Sequence, residues 1–146
     1  MLMLARVLIL TAATLAAWLY VVRWQERRAG AETCRVSYVS DGDTVALSCG
    51  GREVTARVQG LDTPETRDAR CTAERKAGDA ATERLREMLR EGAIEIRRRG
   101  SDKYGRWLIR VRIEGQDVAE RLIGEGLAVP YRGGQRIDWC KRLEAV

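Results

Sequence analysis

Short runs of alternating apolar residues, separated by glycine-containing turns, constrain the fold of this chain more than any other feature. Apolar side chains recur at every second position in three runs, Val36–Tyr38, Val45–Leu47 and Val54–Val58. The dipeptides Asp41-Gly42 and Gly50-Gly51 separate these runs, and such dipeptides are typical of tight hairpin turns. The pattern therefore predicts three short antiparallel strands in succession, a meander.

One long helix is predicted after the third strand. Between Thr72 and Glu91 apolar side chains recur every three to four residues, and Gly92 follows as a helix stop. Two more strands and two short helices are expected at Ile94–Ile96, Leu108–Ile113, Asp117–Gly124 and Asp138–Val146. The fold class is therefore α+β and mainly β: a five-stranded, partly open OB-fold barrel with a helix after strand three and short C-terminal helices.

The first 30 residues differ from the rest of the chain. Val7 to Val22 is almost entirely apolar, with an arginine on each side, which predicts an N-terminal hydrophobic helix. Two interpretations stay open: an uncleaved signal anchor, or a signal peptide cleaved at Ala29-Gly30-Ala31. Residues 1–30 are therefore expected to form an anchor or signal peptide plus linker, and residues 34–146 a single domain. We expect an exported protein, which either stays anchored in a membrane facing the periplasm or extracellular side, or is secreted.

All four cysteines follow this leader. Cys34 and Cys49 are equidistant from the first predicted hairpin turn and should face each other across two strands, which leaves Cys71 and Cys140 for each other. An even cysteine count after an export-like segment indicates an oxidising compartment. Four separate thiols in a reducing compartment is the alternative. The absence of Cys-x-x-Cys spacing argues against zinc.

Composition excludes some kinds of chemistry. The chain has no histidine, so imidazole bases, His-based metal sites and Ser-His triads are ruled out. The net charge is +5, but four of the 26 basic residues and one of the 21 acidic residues fall in the first 30 positions. The remaining chain carries 22 basic and 20 acidic residues. Net charge alone therefore does not predict nucleic-acid binding.

Three short polar motifs lie where turns are predicted: Asp41-Gly-Asp-Thr44, Asp62-Thr-Pro-Glu65 and Asp102-Lys-Tyr-Gly-Arg106. Each has a purely structural explanation, as a hairpin turn, a helix cap before proline, and a turn between two strands. Asp43 is harder to explain, because it shares the parity of the apolar residues Val45 and Leu47. A carboxylate at the end of a core-facing row needs a cation or hydrogen-bond donors.

Arg57 and a later run of three arginines need separate interpretations. Arg57 alternates with Val58 and so lies on the polar side of strand three. Strand parity alone does not bring it to Asp43, and a bulge or strong twist is required. The run Arg97-Arg98-Arg99 is interpreted as a solvated basic strand end.

Together, and in this order, the three motifs resemble those of the staphylococcal nuclease family, over roughly Val36 to Tyr131. The resemblance implies an OB-fold barrel with a phosphodiesterase site at its rim. It also implies a monomeric, calcium-dependent nuclease that hydrolyses DNA, RNA or both and leaves 3′-phosphate and 5′-hydroxyl ends. The alternatives are a non-catalytic nucleic-acid or protein binding module at the cell envelope, and an inactive envelope scaffold.

The resemblance also implies a role for each motif residue. Asp43, Asp62 and the Thr63 carbonyl would bind Ca²⁺, with Asp41 near the ion; Glu65 would be the general base, Arg57 and Arg106 would bind phosphate, and Lys103, Tyr104 and Tyr131 would contact nucleotide. Two departures stand out. Few residues follow Trp139, where the family usually has a longer C-terminal helix, and Gly133 stands where the family often has a second aromatic residue.

Overall fold

The structure, a computed structural model, describes residues 14–22 and 34–145. The chain divides into two compact units, residues 1–33 and 34–146. In the first unit, residues 14–22 form helix α1. The rest of the predicted hydrophobic helix, the cleavage region and the linker lie outside the described residues. Among the helices that are described, none combines the length and the apolar character needed to cross a membrane.

The second unit contains eight strands and three helices among its described residues. The strands are β1 (Cys34–Asp41), β2 (Thr44–Cys49), β3 (Arg52–Val58), β4 (Gly60–Asp62), β5 (Ile94–Ser101), β6 (Trp107–Ile113), β7 (Gln116–Asp117) and β8 (Val129–Tyr131). The helices are α2 (Thr72–Met88), α3 (Val118–Gly124) and α4 (Trp139–Glu144). The predicted class, α+β and mainly β, is confirmed.

Five long strands form one sheet in the order β1-β2-β3-β6-β5, with β7 paired to β6. The predicted meander is confirmed, since β1, β2 and β3 are antiparallel neighbours. The sheet is not closed into a barrel, since within residues 34–145 no pairing of β1 with β5 joins its two edges. Helix side chains complete the core instead: Leu85, Met88 and Leu122 are buried in the same apolar cluster as the strand residues. Each such side chain contributes about 1.5–3 kcal/mol through burial.

Helix α2 brings two acidic loops together. It begins after Cys71, whose sulfur accepts a hydrogen bond from the Glu74 backbone N–H. A Cβ added to Gly78 would lie 2.7 Å from the carbonyl oxygen of Glu65. A Cβ added to Gly42 would lie 2.8 Å from both Ala81 Cβ and a methyl of Thr63. Small residues at these contacts therefore let the 41–43 turn and the 62–65 loop pack closely against the helix.

Both disulfides join the predicted pairs. Cys34 and Cys49 are partners across β1 and β2, with their Cα atoms 4.2 Å apart. Cys71 and Cys140 join the start of α2 to α4 across 69 residues of sequence. The second disulfide therefore keeps the last described helix beside the 62–65 loop, which packs on α2.

The sequence patterns missed three short strands, β4, β7 and β8. Gly60 adopts a φ of 97°, a conformation that glycine reaches without strain, and β4 begins at this residue after β3 has ended at Val58. β4 pairs antiparallel with β8, so that Gly60 faces Tyr131 and Asp62 faces Val129. This small second sheet sets the position of Tyr131 relative to Asp62.

Candidate functional site

Asp43 and Arg57 form the first contact of the site. Arg57 Nη1 donates to Asp43 Oδ1 at 3.0 Å, and Arg57 Nη2 lies 2.7 Å from Asp43 Oδ2. Of the two features that were expected to bring them together, a bulge or a strong twist, the bulge is absent, because the β2–β3 register is unbroken from Thr44↔Arg57 to Cys49↔Arg52. Asp43 lies in the turn before β2, so strand parity does not apply to it. The long side chain of Arg57 makes the contact from the next strand.

The Asp43 carboxylate is buried and incompletely paired. Its Oδ1 also accepts from the Thr44 hydroxyl at 2.9 Å, whereas its buried Oδ2 has no hydrogen-bond partner. The 2.7 Å approach of Arg57 to Oδ2 is an ion pair whose angles do not make a hydrogen bond. Desolvation raises the pKa of Asp43 to about 7; Arg57 opposes this rise and Asp41 adds to it. Such a carboxylate is suited to binding a further cation.

Asp62 lies at the centre of the site and is fully buried. Its Oδ1 accepts from Arg57 Nη2 at 3.2 Å and from Arg136 Nε at 2.5 Å. Its Oδ2 accepts from the indole N–H of Trp139 at 3.0 Å. Arg57 thus joins the two predicted calcium carboxylates, Asp43 and Asp62, through one guanidinium group.

Arg136 connects the rest of the predicted ligand set. Besides Asp62, its guanidinium donates to the Thr63 carbonyl oxygen at 3.0 Å and to the Glu65 carboxylate. Burial acts against the charged form, but the bonds to Glu65 and Asp62 raise the pKa of Arg136 above its usual range. A cation from the chain itself therefore contacts three of the groups predicted to bind Ca²⁺ or activate water.

The Arg106 turn forms a separate, compact unit. Asp102 accepts hydrogen bonds from the Tyr104 and Arg106 backbone N–H groups and from Arg106 Nε, at 2.8 to 3.0 Å. Although desolvation opposes the shift, the bonds from Arg106 and the Tyr104 backbone lower the pKa of Asp102. Among the described residues Arg106 bonds to no carboxylate of the Asp43–Asp62–Glu65 group. Its placement comes from the parallel β3–β6 pair, which puts Trp107 opposite Ala56 and Leu108 opposite Arg57.

A groove of about 600 Å³ joins Arg57 to the Arg106 turn. Lys103, Tyr104 and Tyr131, the predicted nucleotide contacts, also line it. Tyr104 is 72% exposed, and the guanidinium carbon of Arg57 lies 5.8 Å from the centre of the Tyr131 ring. Exposed aromatic faces beside basic side chains can stack on bases while the charges contact phosphate.

The structure therefore brings most of the predicted site residues together. Asp43, Asp62, Thr63 and Glu65 meet through Arg57 and Arg136, and Asp41 accepts a hydrogen bond from the Asp43 backbone N–H at 3.1 Å. Arg106 and the three nucleotide-contact residues line the adjoining groove.

Sequence reasoning missed Arg136 and Trp139. The Cys71–Cys140 pairing was the available signal for Trp139, because it brings the residue next to Cys140 close to α2. Arg136 lies in an irregular loop, where no periodicity marks a side chain that points inward.

The oxygen donors of the site fit a hard divalent cation. Three carboxylates and one backbone carbonyl face the same small region, and these are the ligands that Ca²⁺ prefers. The Oδ2 of Asp43, which accepts no hydrogen bond and has only its ion pair with Arg57, is an additional acceptor for a cation. Asp43, Asp62 and the Thr63 carbonyl could hold the ion directly once Arg136 moves off Asp62 and Thr63 and Arg57 gives up part of its contacts with Asp43 and Asp62.

Fold and site together define a small, mainly β protein with a carboxylate–arginine site beside a basic, aromatic-lined groove. A family model described as "Staphylococcal nuclease homologue" matches residues 55–144. The chain therefore belongs to the staphylococcal nuclease family.

Curated relatives agree with this family. "Endonuclease YncB" of Bacillus subtilis is 37% identical over 93 residues, which cover 60% of this chain and 43% of that protein. "Thermonuclease" of Staphylococcus hyicus is 31% identical over 101 residues, 68% of this chain and 60% of that protein. An "Uncharacterized endonuclease" of Haemophilus influenzae is 29% identical over 101 residues, 68% of this chain and 53% of that protein. The chain thus spans about half the length of these relatives.

Proposed function

We propose that this protein is a calcium-dependent nuclease that hydrolyses phosphodiester bonds of DNA, RNA or both. The observation that carries the proposal is the meeting of Asp43, Asp62, the Thr63 carbonyl and Glu65 around two guanidinium groups, at one end of a groove suited to a nucleotide. Membership of the staphylococcal nuclease family and relatives named endonuclease or thermonuclease support it.

Each residue has a defined part in this reaction. Asp43, Asp62 and the Thr63 carbonyl would hold Ca²⁺, which when bound polarises phosphate and water. Glu65 accepts a proton from the attacking water as the water oxygen bonds to phosphorus. The bond from phosphorus to the 5′ oxygen breaks, and that oxygen takes a proton from solvent. The products are a 3′-phosphate and a 5′-hydroxyl.

The two predicted phosphate arginines act on the charge that develops during attack. Arg106 is already oriented by Asp102, whereas Arg57 is bonded to Asp43 and Asp62, the carboxylates that would hold the ion, and must leave part of these contacts to reach phosphate. A guanidinium group that is held in place before the reaction, as Arg106 is, stabilises a developing phosphorane charge without reorganising. Lysine cannot present the same pair of donors.

Arg136 must move before this chemistry can proceed, because it contacts Asp62, Thr63 and Glu65 at once. This contact favours the second candidate, a non-catalytic nucleic-acid binding module whose acidic group is neutralised by the chain itself. The groove would still bind nucleic acid in that case.

Cleavage assays with a metal series separate the two candidates. The disulfide-intact protein is incubated with plasmid and with a labelled single-stranded oligonucleotide, in Ca²⁺, in Mg²⁺ and in EGTA, and the new ends are identified. We expect cleavage with Ca²⁺ that leaves 3′-phosphate ends and stops in EGTA. Equal cleavage in EGTA would rule out the metal assignment, and binding without cleavage in any metal would establish the binding module.

We also propose that the protein acts as a monomer outside the reducing cytosol. The two disulfides support an oxidising compartment, and the apolar segment Val7–Val22 supports export, either anchored in a membrane or secreted. N-terminal sequencing and membrane fractionation of the exported product test this: a mature start near Ala31 indicates cleavage, and an intact N-terminus in the membrane fraction indicates an anchor.

A further inference from the structure

The outer surface of the β5–β6 hairpin carries a concentration of arginines that the site described above does not use. Arg97, Arg99, Arg110 and Arg112 line one shallow depression of about 140 Å³, together with Glu95. We call these four arginines the basic face. They are exposed, whereas the alternate β6 residues Ile109, Val111 and Ile113 are buried in the core.

The run of three arginines in β5 is divided between two surfaces. A register shift between Arg98 and Gly100 interrupts the β5–β6 ladder. Arg98 lies over the Trp107 ring at 4.1 Å and bonds to the Ser101 hydroxyl, whereas Arg97 and Arg99 line the depression. The predicted solvated strand end is therefore an ordered surface with two of its three charges on one side.

The charges of the basic face are poorly balanced. Arg97 and Arg110 are direct partners across the antiparallel ladder, an arrangement of like charges that destabilises a sheet. Arg97 bonds to Glu95 and Arg110 to Asp117. The side chains of Arg99 and Arg112 have no hydrogen-bond or ion-pair partner in the described part of the chain, although Glu95 and Asp117 lie opposite Arg112 on the neighbouring strands. By contrast, Arg84 of α2 bonds to three glutamates.

The basic face is continuous with the groove of the candidate site. Arg110 lines both, and the outward residues of β6 follow Arg106 in the order Leu108, Arg110, Arg112. At about 3.4 Å per strand residue, the row from Arg106 to Arg112 is ~20 Å long. This length matches several nucleotides of an extended single strand and exceeds one scissile phosphodiester.

We propose that the basic face binds the phosphate backbone of a single-stranded nucleic acid several nucleotides away from the bond being cleaved. This inference rests on the proposed function, because it extends the substrate path from the Arg57–Arg106 groove. Arg99 and Arg112 are free to make fork-shaped bonds to phosphate oxygens. Arg110 connects this outer segment to the groove.

The salt dependence of binding tests the proposal without relying on cleavage. Binding of fluorescent oligothymidylate is measured in EGTA at a series of salt concentrations, and gels confirm that the oligonucleotide stays intact. The double variant Arg99→Gln/Arg112→Gln should bind several-fold more weakly. Its salt slope should be smaller by about 1.4, since each phosphate contact on a single strand contributes about 0.7.

A matched control removes the same charge elsewhere. Arg75 and Lys76 are exposed on α2 and line neither depression, so Arg75→Gln/Lys76→Gln should keep the wild-type salt slope. Wild-type affinity should also rise with oligonucleotide length, from about three to about twelve nucleotides, and the basic-face variant should lose most of this gain.

Binding to vesicles containing phosphatidylglycerol is measured for the same proteins. Three outcomes would overturn the proposal: equal salt slopes for both double variants, a wild-type affinity that does not depend on oligonucleotide length, or an Arg99→Gln/Arg112→Gln protein that binds the vesicles more weakly but binds oligonucleotide as the wild type does. The last outcome would assign the face to an anionic membrane surface. A wild-type protein that binds as expected but never cleaves with Ca²⁺ would contradict the proposed function and leave the basic face as a nucleic-acid binding surface.

Discussion

The acidic half of the site, meaning Asp43, Asp62 and Glu65, differs from the basic face in how its charged side chains are paired. Asp43, Asp62 and Glu65 are met by guanidinium groups of the same chain, Arg57 and Arg136. The basic face keeps Arg99 and Arg112 without such partners in the described residues. Asp43 and Asp62 are buried and Glu65 is partly buried, and an unpaired buried charge costs several kcal/mol, whereas exposed arginines remain solvated.

This difference determines what a ligand must displace in order to bind at each place. In the acidic half, an incoming cation must compete with Arg136 and Arg57. On the basic face, an incoming phosphate displaces only water and counterions. Substitutions in the acidic half should therefore change turnover, metal affinity and stability, whereas substitutions on the basic face should change only the binding of nucleic acid.

The largest effect is expected at Glu65. Glu65→Gln keeps the shape of the side chain but removes the proton acceptor, so the turnover number should fall by about 10²- to 10⁴-fold. The dissociation constant for an oligonucleotide in EGTA should stay close to that of the wild type. Single-turnover kinetics and fluorescence anisotropy measure the two quantities. Equal losses in both would contradict a base role.

Arg106 should come next. Arg106→Lys keeps the positive charge but loses the planar pair of donors, and removing one such donor costs about 10²- to 10³-fold in turnover. The control is Arg132→Lys, an exposed arginine of the same groove, which we expect to retain far more activity. Near wild-type turnover of Arg106→Lys would show that charge alone suffices there.

Substitution of Arg136 tests most directly whether a guanidinium of the chain itself competes with Ca²⁺ for the acidic site. Arg136→Ala removes the guanidinium that Ca²⁺ must displace from Asp62 and the Thr63 carbonyl, so the affinity for Ca²⁺ should rise by about tenfold, since hydrogen bonds to charged groups contribute about 1.5–3 kcal/mol. Without Ca²⁺ the variant should unfold at a lower temperature, because three acceptors lose a donor.

Calorimetric titration and thermal unfolding with and without Ca²⁺ measure these changes in Arg136→Ala. Arg132→Ala removes the same charge from the neighbouring segment and should leave Ca²⁺ affinity unchanged. An Arg136→Ala protein with wild-type Ca²⁺ affinity would mean that the guanidinium and the ion do not compete.

The smallest effect on stability is expected at Arg84, whose ion pairs lie at the surface, unlike the buried pairs of the acidic site. Arg84 bonds to Glu87, Glu91 and Glu125, and bonds from Arg121 and Arg84 lower the pKa of Glu91. A carboxyl group whose pKa is lower in the folded than in the unfolded state, where it is about 4.3, increases the free energy of unfolding at pH values above the unfolded pKa. This contribution of Glu91 should disappear as the pH falls through its folded pKa. Arg84→Met should therefore lower the unfolding temperature slightly at pH 7 and less in acid or high salt.

Most residues of the site could be named from the sequence, with Arg136 and Trp139 as the exceptions, but their contacts could not. The Asp41–Thr44 turn and the Asp102–Arg106 turn are local features, and each forms where its own residues predict it. The helix cap suggested before Pro64 is not seen, because Asp62 ends strand β4 and the next helix begins at Thr72 after Cys71. The contact of Arg57 with Asp43 was misjudged, because strand parity was applied to a residue that lies in a turn.

Local chemistry thus determined the meander, the main helix, the Cys34–Cys49 pair and the list of polar motifs, since alternation, helical periodicity and turn preferences act over a few residues; the Cys71–Cys140 pair followed by elimination. Tertiary structure decided the rest: the parallel pairing of β3 with β6 that places Arg106 beside the Arg57 groove, the β4–β8 pair that positions Tyr131, and the loop and helix α4 that bring Arg136 and Trp139 to Asp62. These contacts join residues up to 77 positions apart, and they form only when burial of the shared core brings distant segments together.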